Sequence, residues 1–78
     1  MRVYLGVPEA VTIPQLQQIV VRLIMSGNVI YNPTGKMRPG WVGWADTLYI
    51  IRAEGWEKEF KEELAEAKKN NMLIMFEE

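Results

Sequence analysis

The side chains able to do chemistry in this chain are few in kind. Its 78 residues include no cysteine and no histidine. That excludes disulfides, zinc fingers, thiol or imidazole nucleophile–base pairs and soft-metal sites. Carboxylates, tyrosines, lysines, hydroxyls and backbone amides are what remain. Five carboxylates fall close together, at Glu57, Glu59, Glu62, Glu63 and Glu66. Read on their own they form a solvated helix face, and those near the helix start are favoured by its dipole. Trp41 and Trp44 sit in a glycine-bearing stretch with no apolar period. Large aromatics there either cap a bare sheet or stack on a ring-shaped ligand. Lys36, Arg38 and Arg52 are basic groups placed to meet a phosphate, or else surface charges.

The charge balance narrows the partners. Nine basic against ten acidic residues give a net charge of −1, and the isoelectric point is near 5.4. A protein held to a phosphate backbone needs a basic surface, so no nucleic-acid polymer is expected. The composition, 49% apolar and 24% charged, is that of a globular chain. At this length it forms a single domain, 1–78, that buries roughly 60–65% of its unfolded surface and is correspondingly marginal. The apolar run at the N-terminus is too short for a signal segment, and Ile19–Met25 is broken by Arg22. A cytoplasmic protein with no membrane partner, metal or cofactor is expected.

These residues must be positioned by elements that alternate in period. Val3-Tyr4-Leu5-Gly6-Val7 is a continuous apolar run and reads as a buried strand. Thr12 with Gln15 three residues on makes a capping box, and Pro14 fits the first helical turn. Ile13, Leu16, Val20, Leu23 and Ile24 continue the helix until Ser26-Gly27-Asn28 stops it. Val29-Ile30-Tyr31 is a short second strand. Residues 32–45 read as a loop, and Thr47–Ile51 as a third strand. Trp56, Phe60, Leu64 and Ala67 mark a second helix ended by Asn70-Asn71, and Met72–Phe76 a fourth strand.

The order β-α-β-loop-β-α-β predicts an α/β fold: a minimal Rossmann-like parallel sheet of four strands, order 2-1-3-4, with two helices and right-handed crossovers. Ligands in such sheets sit beyond the carboxyl ends of the strands at the switch point. Three loops meet there in this reading: Gly6-Val7-Pro8, Asn32-Pro33, and Arg52 through Gly55 and Trp56. The alternative is that these glycines and prolines only turn the chain. With no helix between strands two and three, one sheet face is left under-covered, and a homo-oligomer is expected.

The same loops carry a resemblance. Tyr4-Leu5-Gly6-Val7-Pro8, Tyr31-Asn32-Pro33, Ala45-Asp46 and Gly55-Trp56-Glu57 occur in order across almost the whole chain. Together they resemble the nucleoside 2-deoxyribosyltransferase-like superfamily, and its short members most. The resemblance implies a nucleoside or nucleotide ligand and a nucleophilic glutamate on the helix after strand three. Counting from Gly55-Trp56-Glu57, the family's serine falls on Glu59, its glycine on Lys61 and its nucleophile on Ala65. All three depart, and alanine cannot attack an anomeric carbon. The expected function is therefore capture of a small nucleotide or nucleoside, a nucleotide signal being one version, without glycosyl transfer. Two alternatives stand beside it. One is an N-glycosidase or deoxyribosyltransferase using Glu62 or Glu66; the other is a protein-interaction module working through the exposed sheet face and the Trp loop.

Overall fold

Local signals set the element boundaries. The side chain of Thr12 accepts from the Gln15 backbone at 3.3 Å while the Gln15 side chain accepts from the Thr12 backbone at 2.9 Å, so the expected capping box opens α1 (Ile13–Met25). At its other end, Asn28 N–H reaches the Leu23 carbonyl and Gly27 N–H the Ile24 carbonyl, closing the helix through the expected Ser-Gly-Asn stop. The second long helix stops in the same way. Asn71 takes a left-handed conformation, φ 56°, and Met72 N–H returns to the Ala67 carbonyl.

Between these elements lie four strands: β1 (Arg2–Gly6), β2 (Val29–Ile30), β3 (Thr47–Ile51) and β4 (Leu73–Glu77). The computed structural model, which describes residues 1–77, arranges them β2-β1-β3-β4, each neighbouring pair parallel. That is the order the sequence predicts. Alternating side chains of the strands serve two cores. On one face Val3, Leu5 and Tyr49 pack beneath Leu16, Ile19, Val20 and Leu23 of α1. On the other, Tyr4, Leu48 and Ile50 pack beneath the remaining helices. Ile13 and Ile24, expected on the inward stripe of α1, face solvent instead.

Two expectations need correcting. Residues 32–45 are not entirely loop: a single helical turn, α2 (Trp41–Trp44), lies within them. It sets Trp41 face to face on Tyr4, ring centroids 4.5 Å apart, and so covers the sheet without a full crossover helix. The second helix is broken rather than continuous, with α3 (Trp56–Glu59) and α4 (Lys61–Lys69) meeting at Phe60. Phe60 lies against Gly6, where an added Cβ would come within 3.0 Å of Ile50 and 3.4 Å of the Phe60 ring. The surface left bare is consequently elsewhere, on the α1 side of β4. Leu73 is 52% exposed there and Met75 38%.

The ends of the sheet are fastened by side chains. Asn32, fully buried, bonds both backbone groups of Leu5: Oδ1 accepts from the N–H at 2.8 Å, and Nδ2 donates to the carbonyl at 2.9 Å. Its carboxamide thus continues the β1–β2 ladder past a strand of only two residues. At the opposite end, both carboxylate oxygens of Asp46 accept from the Arg2 N–H at 3.2 Å. This bond, with a second from the Thr47 hydroxyl, holds the Asp46 carboxyl below its usual range. Arg22 of α1 and the Tyr49 hydroxyl both bond Glu77 at the end of β4. Burial acts to raise the Glu77 carboxyl, but these two bonds outweigh it and keep it low.

The Asn32 link gives the first test. Asn32→Ala leaves two buried backbone groups of Leu5 without partners, at about 1–3 kcal/mol each. A chain of this size has only roughly 4–12 kcal/mol in total at 0.05–0.15 per residue. Urea denaturation should show a large loss of stability or no folded baseline, while Pro33→Ala beside it, at an exposed position, should change little.

Candidate functional site

One cleft joins residues that the sequence singled out on separate grounds. Residues 37–42 form one wall and α4 the other, through Glu62, Glu63 and Glu66, enclosing about 520 Å³. That volume is within the range of small-molecule sites. The loop wall is held by local geometry. Gly40 takes φ 81°, a left-handed conformation that glycine adopts without strain, and opens α2. The Tyr31 hydroxyl donates to the Pro39 carbonyl at 2.5 Å. The Tyr4 phenol is raised above its usual value, first by burial and then by the nearby Glu63.

Glu63 is the unusual group. It is 6% exposed, and its Oε2 is shut off from solvent with no hydrogen-bond partner. A buried acceptor left unmade is costly and uncommon. Burial, then the charge of Glu62, raises the Glu63 carboxyl, and its own backbone N–H only partly offsets this. Around it the cleft is rich in acceptors, with Glu62 and Glu66 exposed at the rim, and Arg38 is the only basic side chain among the lining residues.

Of the residues expected at a site, the structure brings together Arg38, Trp41, Glu62 and Glu66. The others are placed elsewhere. Trp44 packs on Tyr31, centroids 5.0 Å apart, with the Arg2 guanidinium 5.7 Å from its ring. Trp56 meets Phe76 edge-on at 5.3 Å, and the Arg52 guanidinium lies 5.2 Å from the same Phe76 ring. Gly55, at φ 84°, begins α3, and Glu57 on its first turn is exposed. Gly6 is closed over by Phe60, Pro8 is buried, and Val7 packs against Gly35. Asn32 is occupied with Leu5, Pro33 is exposed, and Lys36 contributes its carbonyl to Asn32 Nδ2 at 3.2 Å.

At the carboxyl end of β1 the chain supplies its own anion. Both Glu59 oxygens accept from the Glu9 N–H, at 3.1 and 3.2 Å, so a carboxylate holds the loop amide that a ligand phosphate would seek. A smaller hollow lies between the start of α1 and the ends of β3 and β4, with Arg52 and Glu77 on its walls. Among the described residues, no cluster of three or more acidic side chains is arranged to hold a metal ion. Nor is any helix long and apolar enough to cross a membrane.

Glu63, expected with its neighbours on a solvated helix face, is instead buried on the cleft wall. A signal for Glu63 exists: it lies three residues after Phe60 and four before Ala67, both buried, so its position belongs to the inward stripe. The chain matches no protein-family model, no curated protein and no solved structure.

The raised Glu63 carboxyl fixes a pH dependence. The folded state holds this proton more tightly than the unfolded chain, so stability falls as pH rises from the usual glutamate value of 4.5. Glu63→Gln removes that contribution. Thermal melts from pH 4 to 8 should show Glu63→Gln more stable than the parent near neutrality, with the gap closing at the acid end. A constant gap across the range would contradict this origin.

Proposed function

We propose that this is a cytoplasmic, homo-oligomeric protein that binds a small nucleoside-class ligand in the cleft between residues 37–42 and α4, without transferring its glycosyl group. The observation that carries the reading is Glu63, a buried carboxyl with an unpartnered oxygen, on the wall of a cleft that Trp41 also lines. The ordered resemblance through Tyr4-Leu5-Gly6-Val7-Pro8, Tyr31-Asn32-Pro33 and Gly55-Trp56-Glu57 supplies the ligand class. Charge favours a nucleoside over a nucleotide. Three carboxylates face one guanidinium in the cleft, and Glu59 holds the amide at the strand ends. Ala65, at the position of the family's nucleophile, argues against transfer.

The Glu63 carboxyl also favours a second reading. A carboxyl with a raised pKa in a cleft is suited to general-acid work. It would protonate a departing base as water attacks the anomeric carbon, a role for which Glu62 and Glu66 at the exposed rim are less suited.

A thermal-shift panel of nucleosides and their phosphates tests the binding. A ligand present at a hundred times its Kd stabilises by about 2.7 kcal/mol, roughly 10 °C or more for a domain of this size. Nucleosides should give such shifts and triphosphates smaller ones; silence across the panel would overturn the reading. Incubation with the same nucleosides should release no free base, whereas turnover abolished by Glu63→Gln would promote the enzyme. Self-association is supported by the open edge of β4, with Leu73 and Met75 exposed beside it. Light scattering at micromolar concentration should report a particle larger than 9.0 kDa; a clean monomer would refute the oligomer.

A further inference from the structure

We infer that two copies of this chain join edge to edge: the outer side of β4 pairs antiparallel with β4 of a second copy across a two-fold axis, making one continuous sheet. The inference rests on the self-association proposed above and says which surface makes it. The sheet has two edges, and they differ. At one edge β2 offers only two residues. At the other β4 offers five, with Leu73 52% exposed and Met75 and Phe76 each 38%. Native edges of that length are guarded by lysine, proline, a bulge or a covering element. Leu73–Glu77 holds neither lysine nor proline, and its one charged residue, Glu77, is drawn to Arg22 and Tyr49.

Hydrogen-bond direction along β4 fixes how the copies meet. Leu73 N–H donates to the Asp46 carbonyl, and the Glu77 carbonyl accepts from Arg52 N–H. Residues 73, 75 and 77 therefore turn their main-chain groups toward β3, and alternation leaves those of Ile74 and Phe76 directed outward. A two-fold axis through Met75, the middle residue of the strand, sets Ile74 of each copy opposite Phe76 of the other. Each of these pairs exchanges both main-chain bonds, and the two Met75 residues form the non-hydrogen-bonded pair between them.

Charge agrees with this direction. α4 lies over β3 and β4, with Glu62 and Glu63 in its first turn and Lys68 and Lys69 in its last. Antiparallel copies bring the acidic start of one α4 toward the basic end of the other. A parallel pair would set like charges together.

The chain has no cysteine of its own, so one introduced thiol reports the register. Cα atoms of a non-hydrogen-bonded antiparallel pair lie about 4.5 Å apart, inside the disulfide window of roughly 4.4–6.8 Å. Met75→Cys should therefore give a disulfide-linked dimer under mild oxidation. Leu73→Cys should not, because Leu73 stands opposite Glu77 and about 14 Å from its own copy. In light scattering the parent should have the mass of two chains of 9.0 kDa. Met75→Lys places like charges opposite each other and should weaken the dimer about tenfold or more, with the circular dichroism unchanged. Met25→Lys, at a position 83% exposed on α1, should leave it intact. A parent larger than two chains, an oligomer that survives Met75→Lys or is broken by Met25→Lys, or linkage of Leu73→Cys as readily as Met75→Cys would overturn this pairing and leave self-association standing. A parent that stays monomeric across the micromolar range would overturn both.

Discussion

The structure depends on the pairing of the Asn32 carboxamide with both backbone groups of Leu5. β2 contributes only two residues to the ladder, too few to hold an edge strand by main-chain bonds alone. Asn32 supplies a donor and an acceptor where the strand has ended, and it does so without solvent contact. Its Nδ2 also reaches the Lys36 carbonyl, so the start of the long connection is fixed to the centre of the sheet. From that point Tyr31 holds Pro39, Trp41 lies on Tyr4, and the cleft wall is in place. The side chain that secures the fold also positions the site.

A parallel sheet of four strands needs cover on both faces, and this chain has little material to provide it. One full helix serves one face. Opposite it, a single turn carrying two tryptophans replaces a crossover helix, which is efficient because an indole covers far more sheet than an aliphatic side chain. The arrangement leaves a concavity between the aromatic turn and α4. Economy of cover and the presence of a cleft have the same cause.

Much of the architecture was legible because it is written locally. Thr12 with Gln15, Gly27 after Ser26, and Asn71 after a charged helix are signals a few residues long, and each appears where it was expected. Strand order followed from fully apolar runs separated by helices. The turn at Trp41–Trp44 and the break at Phe60 were not legible, because both are imposed from across the sheet. Trp41 is drawn down by Tyr4, 37 positions earlier in the chain, and Phe60 by the space above Gly6. Expected site residues divided on the same principle. Asn32 and Gly6 are polar or small because packing requires it, and the sequence presents the same letters for either role. Glu63 was hidden among four exposed glutamates, and only its register with Phe60 and Ala67 distinguishes it.

The bonds from Arg22 and Tyr49 to Glu77 tie the first helix and the central strand to the last strand of the sheet. Arg22 and Glu77 are 55 positions apart, so this clasp closes only after all four strands of the sheet have been laid down. Contacts of such separation are entropically late, since a long loop must close before they form. The β1–α1–β2 half has its own caps and its own Asn32 link, yet it has no neighbour for the open edge of β1 until β3 arrives. During synthesis that half therefore leaves the ribosome with an unpaired edge, and β3 completes it. Folding of so small a sheet is in this sense cooperative, its first half completed only by the strands that follow it.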